Sequence, residues 1–511
     1  MLKENPKFGY CGLTIVMSNP SRFDKVSLLS AAAGELFNKE MLRPEINRFQ
    51  CEVRLADDRS TLRLNTKALL LLGQKALTLW TDSKYTLGEI RGYPLYSKEG
   101  IPSIASYLPQ DACDVRDYEL MLNEEVSEYR DTTDKYTTYE GEKKHGKTAR
   151  SNFRFWLKSD VERIKQVLFS REGKFPHDVY SMEAVIQPNS DHMITRLREA
   201  KDTRIYIDLE TDEEFNIRCI GLMFEPDPCH RLVTVYLIPF LDYNYNPSYS
   251  IESLCQLYRA LALAFSRNIV VAHNGSVFDF FVLAWKYRLA VGTQLEDTML
   301  EHQRCWPTVE KSLGHCMSHL CWQPYHKDEG NFTFRTQKQM ENMFLYCCKD
   351  VFGMFLCKKA MEFLASEKHD VGLQSSMQQA NASIYPYLVT SLLGMLYDKE
   401  AVAKKINEND RLATQCMRIM RILHGKDIAP LISNKNCIQY FHEALKYPVI
   451  KRSAKTGKPS LSEKELLALR LRFPENAVIE VLLKYRHMIK QTGDLSFLPW
   501  PGVSNGNSSK S

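Results

Sequence analysis

Between Thr203 and Asn274 the sequence carries four short apolar runs, RIYIDLE, IRCIGLMFE, LVTVYLI and NIVVAHN, each bounded by polar or turn-forming residues. Runs of this length, rich in Ile, Val and Leu, are strands, and helix-like segments alternating with them build an α/β unit. Its expected bounds are 201–366. The same alternation is present from Tyr10 to about Ser170, where GLTIVM and KALLLLG flank the helical stretch LLSAAAGELFNKEML, so a first α/β unit is expected over 1–172. Residues 112–150, rich in Asp, Glu, Lys, Thr and Tyr without a period, interrupt that unit as a surface insertion. The segment FRFWLKSDVERIKQVLF closes it as an amphipathic helix, and 173–200 follow as a connector. Beyond Glu367 apolar residues recur at three- and four-residue steps, which predicts a mainly helical region over 367–498. The tail 499–511, rich in Pro, Gly and Ser, is expected to be disordered. The fold class expected is therefore α/β and multidomain, with a helical C-terminal part, and the 511-residue length is enough for roughly three cores at about 150 residues each.

Composition excludes some partners. The most apolar stretch, KALLLLGQKALTLW, is broken by Gln74 and Lys75, and no run approaches the roughly 18 apolar residues needed to cross a bilayer, so no membrane partner is expected. The N-terminus MLKENPKFGY lacks an apolar leader, so the fourteen cysteines are expected to be reduced thiols in a cytoplasmic compartment. Neither Cys347 and Cys348 nor Cys316 and Cys321 match a zinc-site spacing. A net charge of +5 on this length does not by itself imply a polyanionic partner. Two stretches, Glu142 to Lys158 and Lys446 to Lys458, interleave Lys and Arg with aromatics, as surfaces that track phosphates and stack bases do. A solvated basic loop has the same composition.

Carboxylates carry the chemistry. In RIYIDLETDEE the strand period of two puts Asp208 and Glu210 on one face, with Ile207 and Leu209 turned to apolar packing. In NIVVAHNGSVFDFF a strand ends at His273 and Asn274 and a helix begins near Asp279, where a carboxylate meets the positive end of the helix dipole. In MENMFLYCCKDVFGMFL, Tyr346 and Asp350 lie four apart and project from one helix face. Singly, these are a solvated pair, a capping acid and a buried tyrosine beside an acid.

Taken in order within one α/β unit, DxE on a strand, NxxxFD at a strand-to-helix junction and YxxxD on a later helix resemble the three motifs of the DEDDy exonucleases of the ribonuclease H-like fold; EDTM, from Glu296 to Met299, is similar to a further element of that family. The resemblance implies a 3′-to-5′ DNA exonuclease in which Asp208, Glu210, Asp279 and Asp350 hold two Mg²⁺ or Mn²⁺ ions. Hard cations take hard oxygen ligands, and two of them can activate water and stabilise the departing 3′ oxyanion. Tyr346 is then expected to orient or deprotonate the attacking water, and Asn274 and Phe278 to shape the pocket for the terminal nucleotides.

The stretch Ser433 to Gly493, with TGKPSLSEKEL and a helix ending KYRHMIK, is similar to the start of the thumb in family A, polymerase I-like, DNA polymerases. That resemblance implies proofreading in DNA replication, acting on a single-stranded 3′ end or frayed primer terminus. The sequence carries no counterpart of the palm motif DxSxxELR or of the fingers helix RxxxKxxxxGxxYG, so synthesis is not expected from this chain; the resemblance leaves open the first piece of a split polymerase, with a separate palm-and-fingers subunit as partner, a truncated product, or an exon whose reading frame runs into something else. The N-terminal unit resembles the uracil-DNA glycosylase superfamily, as fused to some bacteriophage family A polymerases, through IVMSNPSRF, LLLLGQKAL, LGEIRGYPL and IASYLPQDA. The implied setting is the nucleoid or the cytoplasm of a phage-infected host. Leu108 stands where active glycosylases have a catalytic His, and a leucine can neither hydrogen-bond uracil nor stabilise the leaving anion. Ser18 and Asn19 are the polar candidates that remain, in a sequence that also reads as a tight turn. The competing readings are a DNA-binding or scaffold subunit of a split polymerase, and uracil excision.

Overall fold

The computed structural model describes residues 10–19, 28–29, 34–35, 37–42, 45–112, 149–170, 173–289, 291–330, 336–367, 370–394, 398–424, 433–451 and 458–496. The expected insertion at 112–150 falls almost wholly outside the described residues, as do the expected tail and parts of both basic stretches. The chain divides into two compact units, Met1–Gly394 and Met395–Ser511.

The first unit contains two sheets. One has the order β2-β1-β3-β5-β4, from β1 (Leu13–Met17), β2 (Glu52–Leu55), β3 (Ala68–Leu72), β4 (Leu95–Tyr96) and β5 (Pro102–Ser106). All pairs are parallel except β4 with β5. The uninterrupted apolar runs of β1 and β3 are buried along their whole length, as strands covered on both faces must be. At the end of β3, Gly73 adopts φ 90°, a left-handed conformation open to glycine at little cost; this turns KALLLLGQKALTLW from strand into helix. Helix α1 (Ala149–Phe169) lies against this sheet with Leu157, Val161, Ile164 and Val167 in its core.

The second sheet has the order β11-β10-β7-β8-β9-β6. Its strands are β6 (Ser181–Ile186), β7 (Arg204–Thr211), β8 (Ile217–Phe224), β9 (Leu232–Pro239), β10 (Ile269–Ala272) and β11 (Leu295–Asp297). β7, β8 and β9 are an antiparallel meander; β10 pairs parallel with both β7 and β11. The stretch expected to be a connector contributes β6, parallel to β9, and the helix Ser190–Glu199. SMEAVI carries only partly buried residues in alternation, the pattern of an edge strand, and that signal is weak in a sequence flanked by Pro and charged residues.

On one side, Ile205, Ile207 and Leu209 of β7 join α2 (Ile251–Arg267) in an apolar core. On the other, Tyr206 and Cys219 pack on α6 (Gln337–Glu367), which follows α5 (Leu313–Leu320) in the chain, and this core is continuous with Val16 and Leu69 of the first sheet and with Trp80 and Trp156 of helices Gln74–Trp80 and α1. Arg91 and Asp160, both fully buried, seal it with a two-point ion pair at 3.0 and 3.2 Å, reinforced by Ser106 and Ser318. The helices Val371–Ala382 and Ile384–Leu393 belong to this unit rather than to the helical region after it, because Ile384 and Leu388 are buried in the β7 core.

The second unit is helical. Its core gathers Ala413 and Met420 of Lys399–His424, Phe441, Leu466, Leu469, and Ile479 and Leu482 of Ala477–Ser496. Tyr447 and Phe473 stack at 3.7 Å between ring centres. Among the described residues no helix is long and apolar enough to cross a membrane.

Candidate active site

β7 runs through the centre of the second sheet and carries Asp208 and Glu210 at the same pleat phase, both half-buried on the face that meets α6. Asp208 pairs with Gly221 of β8 and Glu210 with Cys219. A β-carbon on Gly221 would stand 2.8 Å from Cys347 Sγ and 2.9 Å from Val351 Cγ2. The missing side chain lets α6 close on the sheet, and Cys347 Sγ donates to the Asp208 carbonyl at 3.5 Å.

The second motif lies beyond β10. Asn274 turns the chain in the left-handed region, at φ 64°, where Asn is one of the few residues tolerated. Gly275 follows because a β-carbon there would lie 2.4 Å from that of Ala272. The turn is held by Asp297, fully buried at the end of β11: its Oδ1 accepts from the N–H of Asn274 and of Met299, each at 2.9 Å, and its Oδ2 from Ser276 N–H at 3.2 Å and Ser276 Oγ at 3.1 Å. Asp297 also caps α4 (Thr298–Cys305). Thus the EDT element positions the second motif by hydrogen bonds. Helix α3 (Asp279–Trp285) begins at Asp279 with Phe278 as its cap, and Asp279 Oδ1 accepts the Leu209 N–H at 3.0 Å, tying the helix start to β7 between the two strand acids. The Phe278 ring is half-buried, 6.3 Å from Phe215.

The third motif, on α6, carries Tyr346 and Asp350, whose side chains interact electrostatically with Asp208 and Glu210. Asp350 is buried and accepts from His326 Nε2 at 2.8 Å, while Lys327 Nζ donates to both of its oxygens. Lys327 Nζ is also 3.2 Å from the Tyr346 hydroxyl. His326 and Lys327 are the site residues that sequence reasoning missed. They stand in a short loop and the one-turn helix Lys327–Gly330, outside any period or motif; the signal in HKDEG is a lone cation among acids.

The charges interact. Burial, then Asp350, Glu210 and Asp279, push the Asp208 carboxyl well above the usual range, with Lys327 opposing. Burial, then Asp350, lifts Glu210 to about 8, again against Lys327. Burial lifts Asp279 to about 7, the Leu209 N–H notwithstanding. Burial acts on Asp350 in the same sense, but Lys327 and His326 outweigh it and hold this acid below its ordinary value. Burial and the neighbouring acids raise Tyr346 too. Burial pushes His273 below the usual imidazole value; its ring bonds Thr298 Oγ1 and the Lys311 carbonyl, each at 2.9 Å.

Four carboxyls that repel one another, all offering hard oxygen donors, with an ammonium standing among them, fit a cation in chemistry. Among the described residues, no three His, Cys, Asp or Glu side chains are gathered closely enough to hold a metal ion. The partners of two of the acids account for this, since Asp279 is turned to a backbone N–H and Asp350 to His326 and Lys327.

In the first sheet, Leu108 is buried, and Ser18 Oγ accepts the Ala76 N–H at 2.9 Å, in the first turn of the helix Gln74–Trp80. Asn19 is exposed, with its carbonyl 3.4 Å from Gln110 Nε2. These groups have structural partners.

No protein-family profile matches the chain, and no curated protein matches it. Among solved structures it is similar to the polymerase domain of Pol1 from M. smegmatis in complex with DNA primer-template and dNTP, at 12% identity and a TM-score of 0.40, over 62% of this chain. The match spans about half of that protein, 49%.

Proposed function

We propose that the unit Met1–Gly394 holds a divalent-metal-dependent 3′-to-5′ DNA exonuclease, of the proofreading kind found in family A DNA polymerases. The observation that supports this best is that Asp208 on β7 feels the charges of Glu210 on the same strand, of Asp279 at the start of α3 and of Asp350 on α6, with Tyr346 beside Asp350. Packing alone does not call for four acids at one place, since each buried charge costs free energy unless it is paired.

Asp208, Glu210, Asp279 and Asp350 are the residues that would hold two Mg²⁺ or Mn²⁺ ions. Bound there, such ions would supply hydroxide and stabilise the leaving 3′ oxyanion. Tyr346 orients the attacking water from one side, and Asn274 and Phe278 bound the space for the terminal nucleotide. The substrate is the 3′ end of a single strand or a frayed primer terminus.

The test is degradation of a 5′-labelled single-stranded DNA by the wild-type chain in Mg²⁺, beside the double variant Asp208→Ala, Glu210→Ala. A ladder shortening from the 3′ end, abolished by the double substitution and by EDTA, is expected. An intact substrate in both Mg²⁺ and Mn²⁺ would refute the nuclease and put the DNA-binding scaffold subunit first.

A further inference from the structure

The ammonium of Lys327 donates to both oxygens of Asp350 and lies 3.2 Å from the Tyr346 hydroxyl, while His326 Nε2 takes Asp350 Oδ1 at 2.8 Å. Those are the groups on α6 that an exonuclease would turn toward a metal ion and its water. An ammonium that engages both oxygens of a carboxylate occupies the ground a divalent cation would take, and two cations cannot share it at contact distance. We propose that Lys327 is the resident counter-ion of this cluster: it holds Asp350 and Tyr346 in place in the metal-free protein, and a divalent cation completes its ligand set only by displacing it.

This inference rests on the exonuclease reading. Four further features support it. Lys327 is the cation nearest the cluster in its effect, opposing the repulsion at Asp208 and Glu210 as well as at Asp350. Its backbone lies in the single-turn helix Lys327–Gly330 rather than in a long element, so its flexible four-carbon stem can move without dismantling the sheet. Space for the stem is provided locally, since a β-carbon on Gly314 would come within 3.2 Å of Lys327 Cγ. His326 keeps its own bond to Asp350 throughout and preserves the orientation of that acid.

The experiment is a Mn²⁺ binding isotherm, read from the electron paramagnetic resonance of free Mn²⁺, for the wild-type chain, Lys327→Met and the double variant Asp208→Ala, Glu210→Ala. Methionine keeps the stem and removes the charge. Lys327→Met is expected to bind Mn²⁺ at least tenfold more tightly than wild type, and its thermal midpoint to lie below wild type in EDTA and to recover in Mn²⁺. Lys327→Gln gives the same comparison should the methionine variant not fold. Saturable binding of equal or weaker affinity in the Lys327 variants would overturn the counter-ion role and leave the exonuclease standing. Binding in wild type and Lys327→Met no greater than in the double carboxylate variant would overturn both.

Discussion

Replacing Asp297 by alanine tests how the second motif is held in place. Its carboxylate is fully buried and accepts four hydrogen bonds, from Asn274 N, Met299 N, Ser276 N and Ser276 Oγ. A hydrogen bond to a charged group contributes about 1.5–3 kcal/mol net, so four would sum to roughly 6 kcal/mol or more if they were independent. They are not independent, and removing the acid also removes the cost of burying it, which brings the expected loss to about 3–4 kcal/mol. An unfolding entropy of about 2.1 cal/mol/K per residue, over the 394 residues of Met1–Gly394, is roughly 0.8 kcal/mol/K. The first thermal transition should therefore fall by about 4–5 °C in differential scanning calorimetry. Asp297→Asn should recover less than half of this, because its amide presents N–H to the Ser276 donors. The rate of the proposed 3′-to-5′ degradation should fall even where the variant remains folded at the assay temperature, since Asn274 has lost the anchor for its left-handed turn. A transition unmoved within about 1 °C in Asp297→Ala would refute the claim that this acid holds the turn.

The titration of the cluster gives a pH dependence with a definite sign. Glu210 near 8 and Asp279 near 7 in the folded protein lie above their unfolded values of about 4.3 and 3.9, so between those limits the folded state binds more protons. In EDTA, stability should accordingly fall as pH rises from about 5 to 8, saturating Mg²⁺ should flatten the slope, and the double variant Asp208→Ala, Glu210→Ala should lose part of it. Urea midpoints at successive pH values measure this, and an EDTA series that is level or rises would refute it. At Gly221, alanine would press on Cys347 and Val351 of α6; overpacking of this kind costs about 1–3 kcal/mol. Because the displaced helix carries Tyr346 and Asp350, the rate on single-stranded DNA should drop more than tenfold, and an unchanged rate would show that the helix does not set the site.

How much of this was legible in the sequence depends on the range of the interaction. The phase of Asp208 and Glu210 on β7, the start of a helix at Asp279 and the four-residue spacing of Tyr346 and Asp350 are local periodicities, and the elements formed where those periods placed them. The edge strand Ser181–Ile186 looks like a connector in the sequence because its pairing partner, β9, lies about fifty residues away and its own pattern is only half-apolar. The helices from Val371 on look continuous with the C-terminal helical region in the sequence because nothing in their own period says which core Ile384 and Leu388 enter.

The sequence by itself therefore determined the elements that carry the acids, their order, and which acids each one offers, because helix and strand periods are set by neighbours a few residues apart. Only the tertiary structure decided that Asp279 takes the Leu209 N–H between the two strand acids, that Asp297 serves the turn at Asn274, and that His326 and Lys327 reach Asp350 from a loop more than twenty residues earlier in the chain. Those are contacts between distant segments, and the free energy that selects them is burial and charge pairing in the folded chain, to which no local period in the sequence corresponds.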